Sequence, residues 1–531
     1  MAQFIAFAVC LGFSYLFGTT LDNLLFHPLG KTPGPLLARI NSLPSFYHAC
    51  KGDRHVWIWQ NFEIYGPKFR AAPNLILFNS VRAHNDIYGT RANTFRSSFY
   101  RAWKRSEDEI QTMSSDDHAS HTKMRKLLNL IFTEQSLRAW SPIVSRNVDR
   151  WIELLTGTSG KETEGWSQPV DMATSVDMLM FDIVGELCFG QTFNTKQPGE
   201  NDLKKLPRLI MNMVTTGYKI GKSPLLTFFL FLRPRGLNKL LERAQKKEVE
   251  QYKAFTQIRV DERLATRAVD TSEAKHQDML NSLLSAIDPD TNELAYTNQN
   301  HLLSEVRLLV LTSTDTTAST LCGLFFYLAH NPRVLAKATA EVRATFESAE
   351  EIVHGAKLSG CKYLRACSDE ALRLTPPAPG ELPREVLPGG AMIDGHHYPA
   401  GTVVGCSPWA MGRDESIYGD ANFYRPERWL PSDDPRDFYS AADVLKLKKA
   451  HHPFSIGLLN CAGQNLALLE LSLITARLLW AVDMRVAPGQ NVGQGREELG
   501  WGQRSARNYV VKDAWLCLKE GPVLQFRVRM D

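Results

Sequence analysis

Apolar residues recur at helical spacing, among Lys, Arg, Glu and Gln, from Ser120 to Leu137, from Val170 to Phe189 and from His301 to Phe346, which predicts a body dominated by helices. Strands are few and short. Leu75–Phe78 and the Gly- and Pro-punctuated stretch Val386–Val404 are the candidates for small sheets. The first apolar run differs in character: from Phe4 to Leu21 no side chain is charged, and Leu24 to Phe26 extend the run past Asp22 and Asn23. That is barely long enough for a bilayer core, which takes about 20 apolar residues. A cleaved leader would carry basic residues before the run and a small-residue site after it. Neither is present, and Lys31 and Arg39 follow the run instead, so the expectation is an uncleaved transmembrane anchor with a cytoplasmic body. Pro33-Gly34-Pro35 then either turns the chain out of the membrane surface or forms an ordinary turn.

Composition narrows the class. The 531 residues exceed the usual size of one core, yet no shift in composition and no low-complexity linker divides them. The expected organisation is an anchor over 1–26, a Pro-rich hinge over 27–40 and one large domain over 41–531, whose size an enclosed cofactor would help explain. A formal charge of +4 gives no reason to expect nucleic acid. The nine cysteines are scattered singly, without a CxxC pair, which disfavours a zinc knuckle or a disulfide framework and fits a reducing compartment.

The strongest chemical signal is Pro453-Phe454-Ser455-Ile456-Gly457-Leu458-Leu459-Asn460-Cys461-Ala462-Gly463, which runs into a helical stretch from Gln464 to Trp480. A thiolate bound to iron needs a close loop whose N–H groups can point at sulfur, and Gly457 and Gly463 permit an approach that a Cβ would obstruct. Phe454 can cover the sulfur. Lying just before a helix, Cys461 is near the positive end of a dipole, which favours thiolate over thiol. Thiolate ligation feeds electron density to iron and favours O–O cleavage, the reason for an oxygenase to use Cys rather than His. A lone cysteine is most often a buried hydrophobe, but Phe-x-x-Gly-x-x-x-Cys-x-Gly ahead of an apolar helix is far more specific.

This loop resembles the haem-binding signature of the cytochrome P-450 superfamily, and the other motifs implied by that resemblance occur upstream. Glu370-Ala-Leu-Arg373 resembles the family's Glu-x-x-Arg, whose spacing puts carboxylate and guanidinium on one helix face. Phe423-Tyr-Arg-Pro426-Glu427-Arg428-Trp429 resembles the segment that supplies a second arginine. Glu370, Arg373 and Arg428 are thus expected to form one buried network that locks the Cys461 loop, a structural role. Thr312-Ser313-Thr314-Asp315-Thr316-Thr317 resembles the oxygen-activating helix, which assigns proton relay to Asp315 and Thr316 in a locally widened helix. Ser313 stands where the family mostly has Gly.

Haem also brings two propionates, which call for cations or hydrogen-bond donors. His121-Thr-Lys-Met-Arg125 and Leu382-Pro383-Arg384 resemble the family's propionate-binding segments, making His121, Arg125 and Arg384 the candidates. Leu459 departs from the pattern: it occupies the position of a propionate-binding Arg two residues before the Cys. One lost charge-assisted bond weakens haem retention by about 1.5–3 kcal/mol unless something compensates.

The resemblance covers nearly the whole chain, and the phrases Phe26-His-Pro-Leu29, Tyr65-Gly66-Pro67 and Gly521-Pro522-Val523-Leu524-Gln525-Phe526 look like those of filamentous-fungal members. It implies a mainly α fold with small β-sheets, a single domain enclosing haem b with Cys461 as the iron ligand, and an N-terminal transmembrane helix. The implied activity is a monooxygenase acting with O2 on a lipophilic small molecule, by hydroxylation, epoxidation or oxidative ring formation, in fungal secondary-metabolite biosynthesis. A haem-thiolate isomerase or dehydratase needing no external electrons, and a non-catalytic haem sensor or carrier, are the alternatives. No Gly-x-Gly-x-x-Gly follows a strand, so no flavin or nicotinamide module is expected and electrons must arrive from NADPH–cytochrome P-450 reductase, with cytochrome b5 an optional second donor. Lys446, Lys448 and Lys449 either face that partner or form a solvated run. The apolar stretch Leu225–Leu232, closed by Arg233-Pro234-Arg235, resembles a loop that dips into the bilayer, or is core. The implied location is the endoplasmic reticulum membrane, single-pass, with the catalytic domain in the cytoplasm.

Overall fold

The computed structural model describes the chain apart from residues 2, 4–6, 8, 9, 11–13, 15, 16, 105–110, 116, 158–164, 244–246, 270–277, 289, 433–438, 530 and 531, and apart from the side chains of 241–248 and 266–277. Helices dominate: α1 (Arg54–Tyr65), α2 (His118–Ile131), α3 (Glu134–Thr156), α4 (Met172–Phe189), α5 (Leu206–Lys222), α6 (Leu226–Leu232), α7 (Gln299–His330), α8 (Pro332–Thr345), α9 (Lys362–Leu374), α10 (Ala441–Ala450) and α11 (Gln464–Ala481) form its frame, with a 23-residue helix over Lys247–Val269 and shorter helices besides. The long α7 packs along α4 and also meets α9 and α11. Surrounded in this way, it carries apolar side chains around most of its circumference, as do α4 and α11, and together they hold the main core.

Local chemistry sets the helix ends where hydrophobic period alone did not. The expected run His301–Phe346 is two helices, because Pro332 has no N–H to give and keeps Asn331 out of helical geometry (φ −127°, ψ 77°). Between Ser120 and Leu137 the helix breaks at Phe132, and the Thr133 hydroxyl caps the next one by accepting from the Ser136 N–H at 3.2 Å. Val170 and Asp171 form a short strand, after which the Asp171 carboxylate caps α4.

The larger sheet has five strands, β1 (Lys68–Ala72), β2 (Leu75–Phe78), β3 (Thr94–Arg96), β4 (Arg384–Val386) and β5 (Val403–Cys406), in the order β1-β2-β5-β4-β3. β2 and β5 run parallel. β3 and β4 run antiparallel in a register that sets Arg96 directly opposite Arg384. Leu75–Phe78 and the sheet-rich stretch around Val386–Val404 thus stand as the sequence pattern predicts.

Among the described residues no helix is long and apolar enough to cross a membrane, and most of Phe4–Leu21 lies outside them. The Leu225–Leu232 stretch is not core: α6 leaves Leu225, Phe228 and Phe231 more than half exposed.

Candidate active site

A cavity of about 320 Å³ lies between α7, α2, the loop after α9 and the segment 453–463. Cys461 forms part of its wall, and the exposed surface of this residue faces the cavity while protein encloses it elsewhere. Burial pushes its thiol pKa up, against the opposing pull of the Gly463 N–H, which is hydrogen-bonded to the sulfur, and of Arg125. The loop is closed by the Cys461 N–H donating to the Phe454 carbonyl at 2.9 Å. Gly457 adopts a left-handed φ of 71°, and a Cβ there would collide with the Tyr88 carbonyl oxygen. Its glycine is therefore required by the backbone behind the loop and not by approach to the sulfur. Gly463 does face the cavity: a Cβ would reach only the Phe132 ring, at 3.9 Å, and otherwise fill cavity space.

Of the residues singled out from sequence, Cys461, Phe454, Gly463, His121, Arg125 and Thr316 line this one cavity. Asp315 does not. Its carboxylate receives the Lys519 ammonium at 2.7 Å, and the same ammonium lies 2.8 Å from Asp177. The Thr316 hydroxyl donates to the Thr312 carbonyl at 2.8 Å, and α7 continues here as regular α-helix without the expected widening, because hydroxyl back-bonding leaves the ordinary ladder in place. Ser313 lies on the cavity wall.

Glu370, Arg373 and Arg428 meet as expected, with all three side chains fully buried. The Glu370 carboxylate accepts from Arg373 at 2.7 and 2.8 Å, from Arg428 Nε at 2.9 Å, from the Arg425 N–H at 2.9 Å and from the Trp429 indole at 3.0 Å. Trp429 in turn packs against His451 with ring centroids 4.7 Å apart, two residues before Pro453 opens the Cys461 loop. The remaining guanidinium donors cap carbonyls of the 412–423 segment.

Cations gather around the cavity edge, and among the described residues Arg96, Arg125 and Arg384 form no ion pair with an acid. Arg125 forks onto the carbonyl and side chain of Asn460, beside Cys461. Arg384 donates to the Tyr100 hydroxyl at 3.0 Å and borders a second cavity of about 270 Å³, which Leu459 separates from the first. Burial, with Arg96 and Arg125 nearby, holds His121 neutral, its pKa down at about 3.

Two wall residues escaped the sequence reading. Arg96 comes from β3, where nothing in a three-residue strand marks it. Glu470, on α11, has its Oε2 accepting from the Thr317 hydroxyl at 3.0 Å and its Oε1 without a partner among the described residues. Burial lifts its pKa from 4.5 to about 8. A carboxyl whose folded pKa is raised stabilises the fold below pH 4.5, and that contribution is lost as the pH rises through about 8. Glu470→Gln should accordingly flatten the decline over that window, as urea unfolding at pH 5 and pH 8.5 would register; parallel pH profiles for variant and wild type would refute the assignment.

An apolar cavity with a sulfur in its wall and cations around its rim fits an iron tetrapyrrole bearing two carboxylates. A model of the family described as Cytochrome P-450 matches residues 28–509. The chain is 32% identical over 513 residues to the cytochrome P-450 monooxygenase poxM of Penicillium oxalicum, which covers 97% of this chain and 93% of the relative. It is 29% identical over 523 residues to the cytochrome P-450 monooxygenase fscF of Fusarium equiseti, with 97% and 95% covered. To the cytochrome P-450 monooxygenase atnE of Emericella nidulans it is 30% identical over 536 residues, with 99% and 97% covered.

Proposed function

The chain belongs to the cytochrome P-450 family, and from that premise we propose that it is a haem-thiolate monooxygenase that inserts one oxygen atom from O2 into a lipophilic small molecule, in fungal secondary-metabolite biosynthesis. The observation that carries the reading is the position of Cys461, its sulfur open to a cavity whose opposite wall is the hydroxyl-bearing face of α7. Bound through that sulfur, haem b supplies the iron at which O2 is reduced, and the thiolate favours O–O cleavage. Phe454 and Gly463 shape the sulfur's side of the site, while His121 and Arg125 would flank the propionate edge, with Arg384 beyond Leu459 at the neighbouring cavity. Thr316 places its hydroxyl oxygen on the cavity wall, with its proton resting on the Thr312 carbonyl at 2.8 Å, and Glu470 keeps a proton on its buried carboxyl. Asp315, tied to Lys519, acts from behind the helix and not from the cavity wall.

Electrons come from a separate partner, for which we favour NADPH–cytochrome P-450 reductase, with cytochrome b5 optional. Lys446, Lys448 and Lys449 stand exposed on α10, which leads into the Cys461 loop, and suit an acidic docking face. Membrane attachment belongs to the same proposal: residues 1–26 as anchor, 27–40 as hinge, 41–531 as catalytic domain, on the cytoplasmic side of the endoplasmic reticulum. Its support is apolar exposure on neighbouring elements, Leu43 and Tyr47 on Leu43–Lys51 and Leu225, Phe228 and Phe231 at α6, both adjoining α5.

With reductase, NADPH and isotopically heavy O2, a lipophilic substrate should acquire one labelled oxygen. Product that forms without NADPH, or without label, overturns the monooxygenase reading in favour of isomerisation or dehydration. Thr316→Ala should keep the haem but lower product per NADPH by roughly 100-fold, with the difference released as hydrogen peroxide. Fully coupled turnover in that variant would remove Thr316 from the relay.

A further inference from the structure

The stripe of α7 that faces the Cys461 cavity runs back through Thr316, Ser313, Thr312, Leu309 and Leu308, and its next member by helical spacing is Glu305. Glu305 lies roughly three turns before Thr316, about 16 Å along the axis, toward the far end of the cavity. Its side chain is fully buried among the apolar neighbours Leu302, Leu303 and Val306, and it forms no ion pair among the described residues. One residue of the loop across the cavity occupies both of its oxygens: the Thr112 hydroxyl donates to Oε1 at 2.6 Å and the Thr112 N–H to Oε2 at 2.9 Å. Burial raises the Glu305 pKa, and the two Thr112 donors and the field of Arg96 pull it back. Glu305 is not itself on the cavity wall; Thr112 and Met113 are. The next tether along this loop is weaker, a bond from Arg96 to the Ser115 carbonyl at 3.3 Å. A carboxyl in so apolar a place costs desolvation energy that a leucine would not, so what Glu305 contributes is its hold on Thr112.

We propose that Glu305 is a positioning residue that sets the far limit of the substrate space: it holds Thr112 and Met113 against α7 and so restricts the site to compact lipophilic molecules, excluding long ones. The inference rests on the haem-thiolate reading above. Bonds to both the backbone and the side chain of Thr112 fix its orientation as well as its distance from α7. Leu308, Leu309 and Met113 make this part of the wall apolar, so the limit acts on length and bulk and not on charge. A methionine side chain adapts its shape readily, which leaves the limit to wherever the loop backbone is held, and hence to Glu305.

The test titrates the holoprotein with two azoles, the short 4-phenylimidazole and the long ketoconazole, and reads binding from the red shift of the Soret band as the azole nitrogen reaches the iron. In Glu305→Leu the ratio of the ketoconazole Kd to the 4-phenylimidazole Kd should fall about tenfold from wild type, through tighter ketoconazole binding. A fall of threefold or more supports the proposal, and a smaller fall or a rise overturns it. Thr112→Ser keeps both donors and should hold the ratio within twofold of wild type; a fall there as large as in Glu305→Leu overturns the proposal, because it would mark general damage to the loop. Glu305→Leu should unfold in urea no earlier than wild type, since a buried carboxyl without a cation gives way to an apolar side chain. A lowered midpoint with an unchanged ratio would mark Glu305 as structural only and overturns the proposal. If Glu305→Leu yields no holoprotein, Thr112→Val, which loses the hydroxyl at constant size, is judged by the same thresholds. The reduced carbon monoxide spectrum of the wild type keeps the two readings apart: without a thiolate band the haem-thiolate reading falls and this one with it, whereas with the band present and the ratio unchanged only the role of Glu305 falls.

Discussion

Replacing Glu370 with alanine should cost about 3–5 kcal/mol and leave little folded holoprotein. The carboxylate is fully buried and is the counter-ion of two fully buried guanidiniums, Arg373 and Arg428. Removing it leaves those charges with carbonyl acceptors but no negative partner, in a place water does not reach. Damage should spread toward the metal loop, because the Trp429 indole donates to the same carboxylate at 3.0 Å and its ring packs on His451 ahead of Pro453. Burial alone would raise the Glu370 pKa, but Arg373 and Arg428 override it and hold the group at about 2. A depressed carboxyl pKa contributes stability that is present above its ordinary 4.5 and is lost as the pH falls through about 2. Wild type should therefore weaken on acidification across that window, and Glu370→Gln should lack that increment while still lying well below wild type at pH 7. Urea unfolding and haem per protein measure both effects. A normal midpoint with full haem content in Glu370→Ala would contradict the locking role.

Much of this site is legible in sequence where spacing along one element carries the chemistry. Glu370 and Arg373 lie three apart on α9 and share a face, so their pairing follows from helix geometry. Phe454, Gly463 and Cys461 share one loop, and their order alone places them together. Asp315 and Thr316 are instead adjacent on α7, about 100° apart around the axis, and only Thr316 is on the side that lines the cavity. Which neighbour faces the cavity depends on how α7 is rotated against its surroundings: Thr316 lines it, while Asp315 meets Lys519 on another side of the helix. Arg96 was beyond such reasoning: its place on the cavity wall goes with a strand register opposite Arg384, 288 positions away, which no local pattern encodes. Glu470 sits within an apolar helix, where a single carboxyl reads as a surface position until burial is known. Leu225–Leu232 could have been core or exposed on its pattern alone, since an apolar run does not say what covers it.

Cys461→Ala should abolish the strongly red-shifted Soret band of the dithionite-reduced, carbon monoxide-bound protein and all NADPH-dependent turnover, while leaving the fold nearly intact. The fold is spared because the side chain's exposed surface faces the cavity, the loop closes through the Cys461 backbone N–H to Phe454, and the Glu370 network that braces the loop is untouched. The loss of stability in urea should be within about 1 kcal/mol. The spectral loss follows from the donor set, since no other thiol lines the cavity among the described residues and methionine, histidine or water cannot supply a thiolate's electron density. A wild-type spectrum of the neutral imidazole type would reverse the assignment, and would direct attention to His121, which lies on the same wall and is held in the neutral form that ligates iron. A thiolate band that survives in Cys461→Ala would be equally decisive, because it would require a sulfur from outside this cavity.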